Sequence, residues 1–358
     1  MRKFFVIAIF CIIVFFSISF TKESLRSIYS RPSATWPKPT IDEGTVWTEL
    51  GVLPDSPLTS KKDSLKDIIE LGKTLFFDTR LSGSGKISCA TCHQPELNWT
   101  DGKEKSIGHE GTVNKRNSPT IQNTWFYKKL FWDGRSNSLE DQAFAPINSE
   151  SEMHHEMPEL IRLLRNSKGY PGLFKKAFGS DGINPDRLTE AIATFERTIV
   201  SNKSRFDEFL EGKRNALSNS EIRGLHLFRT KASCMNCHNG PLFTDNQFHN
   251  IGFSTTDKGY YQVTHKDEDL GKFKTPSLRD VMKTGPWMHD GKTDDMKEII
   301  DRLNQGKPVE KKTANKTIRV DKKIKKKLIK LYKYNIYGSN SIPKTDVYIL
   351  DKYSSLKF

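Results

Sequence analysis

The pattern Cys-x-x-Cys-His occurs twice in this chain of 358 residues, at positions 89–93 and 234–238. In this pattern the two thiols can form thioether bonds to the vinyl groups of one haem, and the adjacent histidine can bind the haem iron. The sequence therefore predicts two covalently bound haem c groups, and the residues that would attach and ligate them are Cys89, Cys92, His93, Cys234, Cys237 and His238.

A zinc site, a redox dithiol and a chance match are the alternative explanations of these motifs. Zinc would need its four ligands in one compact module, whereas the two cysteine pairs lie far apart in sequence and each has its own histidine. Two chance matches in one chain are much rarer than one. Haem attachment is therefore the favoured interpretation.

The first 22 residues have the pattern of an export signal. A basic start at residues 1–3 is followed by an apolar run at 4–20. Maturation of c-type cytochromes also takes place outside the cytoplasmic membrane, so we expect a periplasmic protein. Residues 17–20 form a poor cleavage site, and both a cleaved signal peptide and an uncleaved membrane anchor stay open.

The chain is basic, with a formal net charge of +14. Many of the cations lie at 311–330, where apolar residues recur at helical spacing, which is typical of a solvated helix face. An exported protein meets no DNA, so nucleic acid is not expected as a partner. The charge instead favours attraction to anionic lipid or to an acidic redox partner.

Short matches around the two motifs indicate a divergent tandem repeat of a small helical module. Residues 72–76 match 224–228, and a Thr-Asp pair follows each motif, at 100–101 and 244–245. No segment alternates with period two, so we expect a mainly α fold of two tandem cytochrome c-like haem domains with long loops. The expected divisions are a signal peptide or anchor at 1–22, a linker or extended arm at 23–60, an N-terminal haem domain at 61–205, a C-terminal haem domain at 206–335 and an extension at 336–358.

Several blocks in a fixed order resemble the bacterial di-haem cytochrome c peroxidases, a family that includes the methylamine-utilisation protein MauG. The resemblance runs from about Leu71 to about Gly306, and it rests on residues 75–78, 88–93, 115–120, 131–135, 141–143, 274–279 and 288–291. It implies that peroxide reacts at the N-terminal haem. It also implies that electrons arrive at the C-terminal haem from a small redox protein.

The resemblance assigns four residues to the N-terminal haem site. His109 matches the distal histidine that caps this haem in the resting enzyme, and Glu152 and Gln142 match the pair that lines the peroxide pocket. A carboxylate there can carry a proton from one peroxide oxygen to the other. Trp132 matches the tryptophan between the haems. Without the resemblance, His109 and Glu152 would be read as surface residues and Trp132 as core.

The resemblance also implies a calcium ion between the domains and a homodimer. Asn117, Thr284 and Pro286 fall where the family binds calcium through an amide oxygen, backbone carbonyls and waters. These neutral oxygen ligands leave no signature of their own, so the calcium expectation depends wholly on the resemblance.

One position departs from the family pattern. Leu303 stands where the family places Met or Tyr as the sixth ligand of the C-terminal haem. Leucine cannot bind iron, so the ligand would come from Met288, Met296, Tyr260 or His265, or the iron would be five-coordinate. The axial ligand sets the potential of a haem, and a thioether raises it.

Three functions are compatible with these features. The first is a peroxidase that reduces hydrogen peroxide to water with electrons from a small c-type cytochrome or cupredoxin. The second is a MauG-like oxidase that modifies a protein or a small substrate, which the altered position Leu303 favours. The third is a non-catalytic electron carrier, which the presence of Glu152 and Gln142 disfavours.

Overall fold

The computed structural model describes residues 23–253 and 256–305. The expected signal or anchor at 1–22, the basic segment at 311–330 and the extension at 336–358 lie outside the described residues. None of the helices in the described part is long and apolar enough to cross a membrane.

The fold is mainly helical, as predicted, and it is organised as two cytochrome c-like domains. Among the described residues, β1 and β2 pair antiparallel in a small sheet, with Phe248 opposite Lys274. The elements are α1 (Leu25–Tyr29), α2 (Lys66–Phe77), α3 (Cys89–Cys92), α4 (Leu139–Asn148), α5 (Met157–Asn166), α6 (Tyr170–Phe178), α7 (Pro185–Glu196), α8 (Arg205–Leu210), α9 (Asn219–Arg229), β1 (Phe248–His249), α10 (Tyr261–Thr264), β2 (Phe273–Lys274) and α11 (Met296–Gln305).

The core of the N-terminal domain forms where α2 packs on α7. The apolar residues Leu71, Leu75 and Phe76 recur at helical spacing along α2 and are fully buried. Gly72 permits the close approach, because a Cβ at this position would lie 1.8 Å from the carbonyl oxygen of Ala191 on α7. This packing holds α7 beside the first haem motif.

The core of the C-terminal domain includes the segment at 23–60. Tyr29, Trp36 and Leu50 are buried in the same cluster as residues of α8 and α9. Arg229 at the end of α9 is fully buried, contacts the Tyr29 and Trp36 rings and forms an ion pair with Glu49. Residues of the segment predicted as a linker or extended arm therefore pack on the second domain.

Backbone hydrogen bonds join the two domains next to the haem motifs. The amide of Asn117 donates to the carbonyl of His289 (2.9 Å), and the amide of Lys274 donates to the carbonyl of Trp132 (2.9 Å). The guanidinium of Arg116 adds an ion pair to Asp257 at 2.7 Å. These contacts position the site described next.

Candidate haem sites

A single cavity of about 930 Å³ reaches both Cys-x-x-Cys-His motifs. Its lining includes all six residues predicted to attach and ligate haem: Cys89, Cys92, His93, Cys234, Cys237 and His238. None of these four cysteines forms a disulfide with another described residue, so all four are available for haem attachment. The predicted attachment residues therefore face one shared space, with one motif from each domain.

The first motif lies on the short helix α3. The hydroxyl of Thr91 accepts a hydrogen bond from the Ser88 amide (3.0 Å) at the start of the helix, and the His93 amide donates to the Cys89 carbonyl (3.0 Å). His93 Nδ1 donates to the Trp99 carbonyl at 3.2 Å. Because this bond occupies Nδ1, Nε2 is the nitrogen that can bind iron.

The second motif repeats this arrangement on a 3-10 turn. The His238 amide donates to the Cys234 carbonyl (2.8 Å), and His238 Nδ1 donates to the Phe243 carbonyl at 2.9 Å. Burial lowers the pKa of both His93 and His238, which favours the neutral imidazole that binds metal. The donor set, the fixed tautomer and the adjoining space therefore fit a haem c at each motif.

The two residues predicted for the peroxide pocket both line the cavity. Gln142 lies on α4, and Glu152 follows that helix in a turn in which its amide donates to the Ser149 carbonyl (3.0 Å). Burial raises the pKa of Glu152, and the nearby Arg135 partly opposes this shift. A half-buried carboxyl with a raised pKa is suited to take up a proton and release it again.

His109 lies next to the Glu152 turn but is not one of the residues that line the cavity. Its amide donates to the Glu152 carbonyl (2.8 Å), and its ring packs edge-on against the ring of His154, with centroids 4.6 Å apart. Its Nδ1 is buried and has no hydrogen-bond partner among the described residues. The role of His109 as a distal ligand stays a prediction.

Trp132 lines the cavity and is hydrogen-bonded to both domains. Its indole Nε1 donates to the Asn117 carbonyl (3.0 Å), and its own carbonyl accepts from the Lys274 amide. The residues expected at a calcium site, Asn117, Thr284 and Pro286, line the same cavity. Nδ2 of Asn117 donates to the Lys103 carbonyl (2.9 Å), which fixes the orientation of the amide. Calcium itself stays a prediction.

The C-terminal haem site has an apolar face supplied by α11. Met296, Ile299, Ile300 and Leu303 recur at helical spacing on this helix, and all four line the cavity, as does Met288. The other two candidates for the sixth ligand, Tyr260 and His265, are not part of the lining. Tyr260 stacks on Phe248 with ring centroids 4.0 Å apart, and His265 is exposed. The position of the methionines is compatible with ligation, and the ligand stays unassigned.

Two charged residues in the cavity lining, Glu196 and Lys274, were not predicted as site residues from the sequence. Glu196 ends α7 close to Cys89, burial raises its pKa to about 8, and its Oε2 has no hydrogen-bond partner within the described residues. Its place four residues after the buried Ile192 could have indicated burial. Lys274 lies on β2, inside a motif noted only for the resemblance.

An ion pair beside the second motif was also missed. His249 Nε2 lies 2.6 Å from a carboxylate oxygen of Asp245, and both residues are near Cys237. Burial lowers the pKa of His249, but the Asp245 carboxylate and the Cys237 sulfur together outweigh burial and raise the pKa to about 9. His249 is therefore a cation in the cavity lining at neutral pH.

Comparisons with known proteins agree with this geometry. The model of the di-haem cytochrome c peroxidase family matches residues 66–215. Methylamine utilization protein MauG of Methylophilus methylotrophus is 43% identical over 249 residues, 68% of this chain and 72% of that protein. Cytochrome c551 peroxidase of Nitrosomonas europaea is 37% identical over 274 residues, 73% of this chain and 81% of that protein.

Among solved structures, a MauG-like protein associated with microbial copper homeostasis superposes with a TM-score of 0.70 at 27% identity, covering 86% of this chain and 95% of that one. Together with the two relatives, this match confirms the resemblance seen in the sequence. The chain belongs to the di-haem cytochrome c peroxidase family, a family of oxidoreductases with two haem c groups.

Proposed function

We propose that this protein is a periplasmic di-haem peroxidase that reduces hydrogen peroxide to water. One peroxide, two protons and two electrons give two waters, and the electrons come one at a time from a small c-type cytochrome or cupredoxin. The observation that carries the proposal is the presence of Glu152 and Gln142 in the lining of a cavity that continues past Trp132 to the second haem motif.

Glu152 would move the proton that the reaction needs. The haems, when bound, supply the peroxide-binding and electron-transfer chemistry. Because burial raises its pKa, the carboxyl of Glu152 can accept a proton from the peroxide oxygen that binds first and return it to the departing oxygen. The amide of Gln142 would orient peroxide beside this carboxyl, and the apolar part of the lining would exclude water.

Trp132 would provide the path between the two sites. Its indole is fixed by the Asn117 carbonyl on one side, and its backbone is bonded to Lys274 of the other domain. A calcium ion held by Asn117, Thr284 and Pro286 would stabilise this contact between the two domains. The name cytochrome c551 peroxidase, borne by the relative from Nitrosomonas europaea, supports a c-type cytochrome as the donor.

A MauG-like oxidase is the second candidate. It is favoured by the apolar α11 face, where Leu303 cannot supply the thioether that would raise the haem potential. The 43% identity to a protein named MauG supports it as well. Such an enzyme would withdraw electrons from a protein or small substrate and would not accept them from a cytochrome.

Peroxide turnover by Glu152→Gln, with reduced cytochrome c as donor, tests the proposal. Glutamine keeps the shape of the side chain but cannot carry a proton, so we expect turnover to fall by about 10²- to 10⁴-fold. Glu150→Gln is the matched control, because Glu150 is an exposed acid two residues away that does not line the cavity.

Two results would contradict the proposal. Equal turnover by the Glu152→Gln variant and the wild type would remove Glu152 from the reaction. Wild-type protein that fails to oxidise about two cytochromes per peroxide would instead support the MauG-like oxidase.

A further inference from the structure

Lys274 is a half-buried lysine whose side chain the proposed function does not use. It belongs to the motif at 274–279, whose other charged residue has a structural role: Arg279 forms a fully buried ion pair with Asp207 (2.5 Å) and donates to the Pro241 carbonyl. Lys274 has no such pair. It lies on β2 and lines the cavity between the two haem motifs.

The surroundings of the Lys274 amine contain no carboxylate partner. Its Nζ lies 3.7 Å from the centre of the Tyr127 ring, and none of the described carboxylates forms an ion pair with it. The nearest acid that acts on it is Asp133, whose oxygens already bind Arg116 (2.6 Å) and Arg135 (3.0 Å). Burial lowers the pKa of the Lys274 amine to about 7, and the charge of Asp133 only partly opposes this shift.

A buried ammonium group without a counter-ion is costly, so such groups are normally paired. The space that Lys274 faces is the same one that the haems of this family would occupy. A haem c keeps two propionate carboxylates, which are not used in the thioether bonds to cysteine. These carboxylates are therefore the natural anions for this position.

The internal repeat indicates which haem is involved. Residues 117–120 read Asn-Ser-Pro-Thr, and residues 274–277 read Lys-Thr-Pro-Ser. The backbone of Pro119 contacts His93, and the backbone of Pro276 contacts His238. Lys274 therefore has at the C-terminal haem the place that Asn117 has at the N-terminal haem.

Trp132 lies between these two counterparts, since it donates to the carbonyl of Asn117 and accepts from the amide of Lys274. The charge of Lys274 is thus located on the side of the C-terminal site that faces the other haem.

We propose that Lys274 binds a propionate of the C-terminal haem, beside Trp132, and that its positive charge raises the reduction potential of that haem. The proposal rests on the two haems of the family and is independent of peroxidase activity. A cation stabilises the reduced iron because reduction adds a negative charge nearby. The charge of Lys274 would therefore raise the reduction potential of the C-terminal haem, as a thioether ligand from position 303 would also have done.

The test is spectroelectrochemistry of both haems in the haem-loaded protein, without peroxide, for wild type, Lys274→Met and Lys274→Arg. We expect Lys274→Met to lower the reduction equilibrium constant of the C-terminal haem about tenfold, as Coulomb's law gives for a charge about 12 Å away at an effective dielectric constant of about 20. For one electron this is about 59 mV. Lys274→Arg keeps the charge and should keep the potential.

Lys272→Met is the matched control. It removes a lysine two residues away that does not line the cavity and that pairs with Asp269 at 2.9 Å. We expect no comparable change in either haem potential. If Lys274→Met does not load two haems, Lys274→Gln removes the same charge with a polar side chain and takes its place.

Three outcomes would overturn the proposal. The first is a Lys274→Met variant whose two potentials equal those of Lys272→Met. The second is a fall confined to the N-terminal haem, which would assign the lysine to the other propionate pair. The third is a wild-type potential that depends on added phosphate or chloride and loses this dependence in Lys274→Met, which would identify a free anion as the partner.

Discussion

Replacing Glu196 by glutamine should make the haem-loaded protein more stable at alkaline pH and leave it unchanged in acid. Glu196 is 4% exposed, and one of its carboxylate oxygens lacks a hydrogen-bond partner among the described residues. Burial raises its pKa from 4.5 to about 8, Arg197 opposes the shift, and Glu140 adds to it. The folded protein therefore holds this carboxyl neutral under conditions in which the unfolded chain ionises it.

The sign and size of the effect follow from this difference. Below pH 4.5 both states carry the proton, and Glu196 contributes nothing to pH dependence. Between pH 4.5 and about 8 the unfolded state gains stability by ionising, so the free energy of unfolding falls as pH rises. The full slope is about 1.4 kcal/mol per pH unit. The free energy of unfolding falls less steeply near pH 5 and near pH 8, where the carboxyl is partly ionised in the unfolded or the folded state, so the loss over this range is roughly 3 kcal/mol.

Guanidinium unfolding at pH 5 and pH 8, followed by far-UV circular dichroism, measures this loss. The wild type should lose roughly 3 kcal/mol more than Glu196→Gln over this range. Glu190→Gln, which changes an exposed acid on the same helix α7, should behave like the wild type. Identical pH dependence in wild type and Glu196→Gln would refute the inference that Glu196 is held neutral.

Two further predictions concern the haem sites. Leu303→Met should give the C-terminal haem a thioether ligand and raise its reduction potential, seen in the same spectroelectrochemical titration; an unchanged spectrum would mean that residue 303 does not lie over the iron. Removal of calcium with a chelator should slow peroxide turnover, and added Ca²⁺ but not Mg²⁺ should restore it; turnover that is insensitive to chelation would argue against a calcium site at Asn117, Thr284 and Pro286.

The haem motifs were predictable because their chemistry is local. Two cysteines and a histidine within five residues predict both the attachment and the proximal ligand, and a carbonyl only five or six residues away, that of Trp99 or Phe243, helps to orient each imidazole. The helical fold was predictable for a similar reason, since the apolar spacing of α2 and α7 is visible along the sequence.

The charged residues of the cavity were not predictable in this way. Lys274 contacts Tyr127 and Trp132, which lie more than 100 residues earlier in the sequence, and no local sequence pattern predicts such a contact. The burial of residues in the segment at 23–60 was not predictable for a different reason. The Pro- and Ser-rich composition of this segment does not indicate that Tyr29 and Trp36 are buried, because both contact Arg229, which lies about 200 residues later in the sequence.

The reduction potential of the C-terminal haem connects the site geometry to the choice between the two functions. A peroxidase needs this haem to accept electrons from its donor, so its potential must be comparable to that of a small cytochrome or higher. The α11 face with Leu303 removes one contribution that would raise the potential, whereas the cations Lys274 and His249 in the lining add others. If these charges suffice, the donor reduces the haem and the peroxidase reaction proceeds. If they do not, the haem stays oxidised in the presence of the donor, and the same cavity can only withdraw electrons from a substrate, as a MauG-like oxidase would.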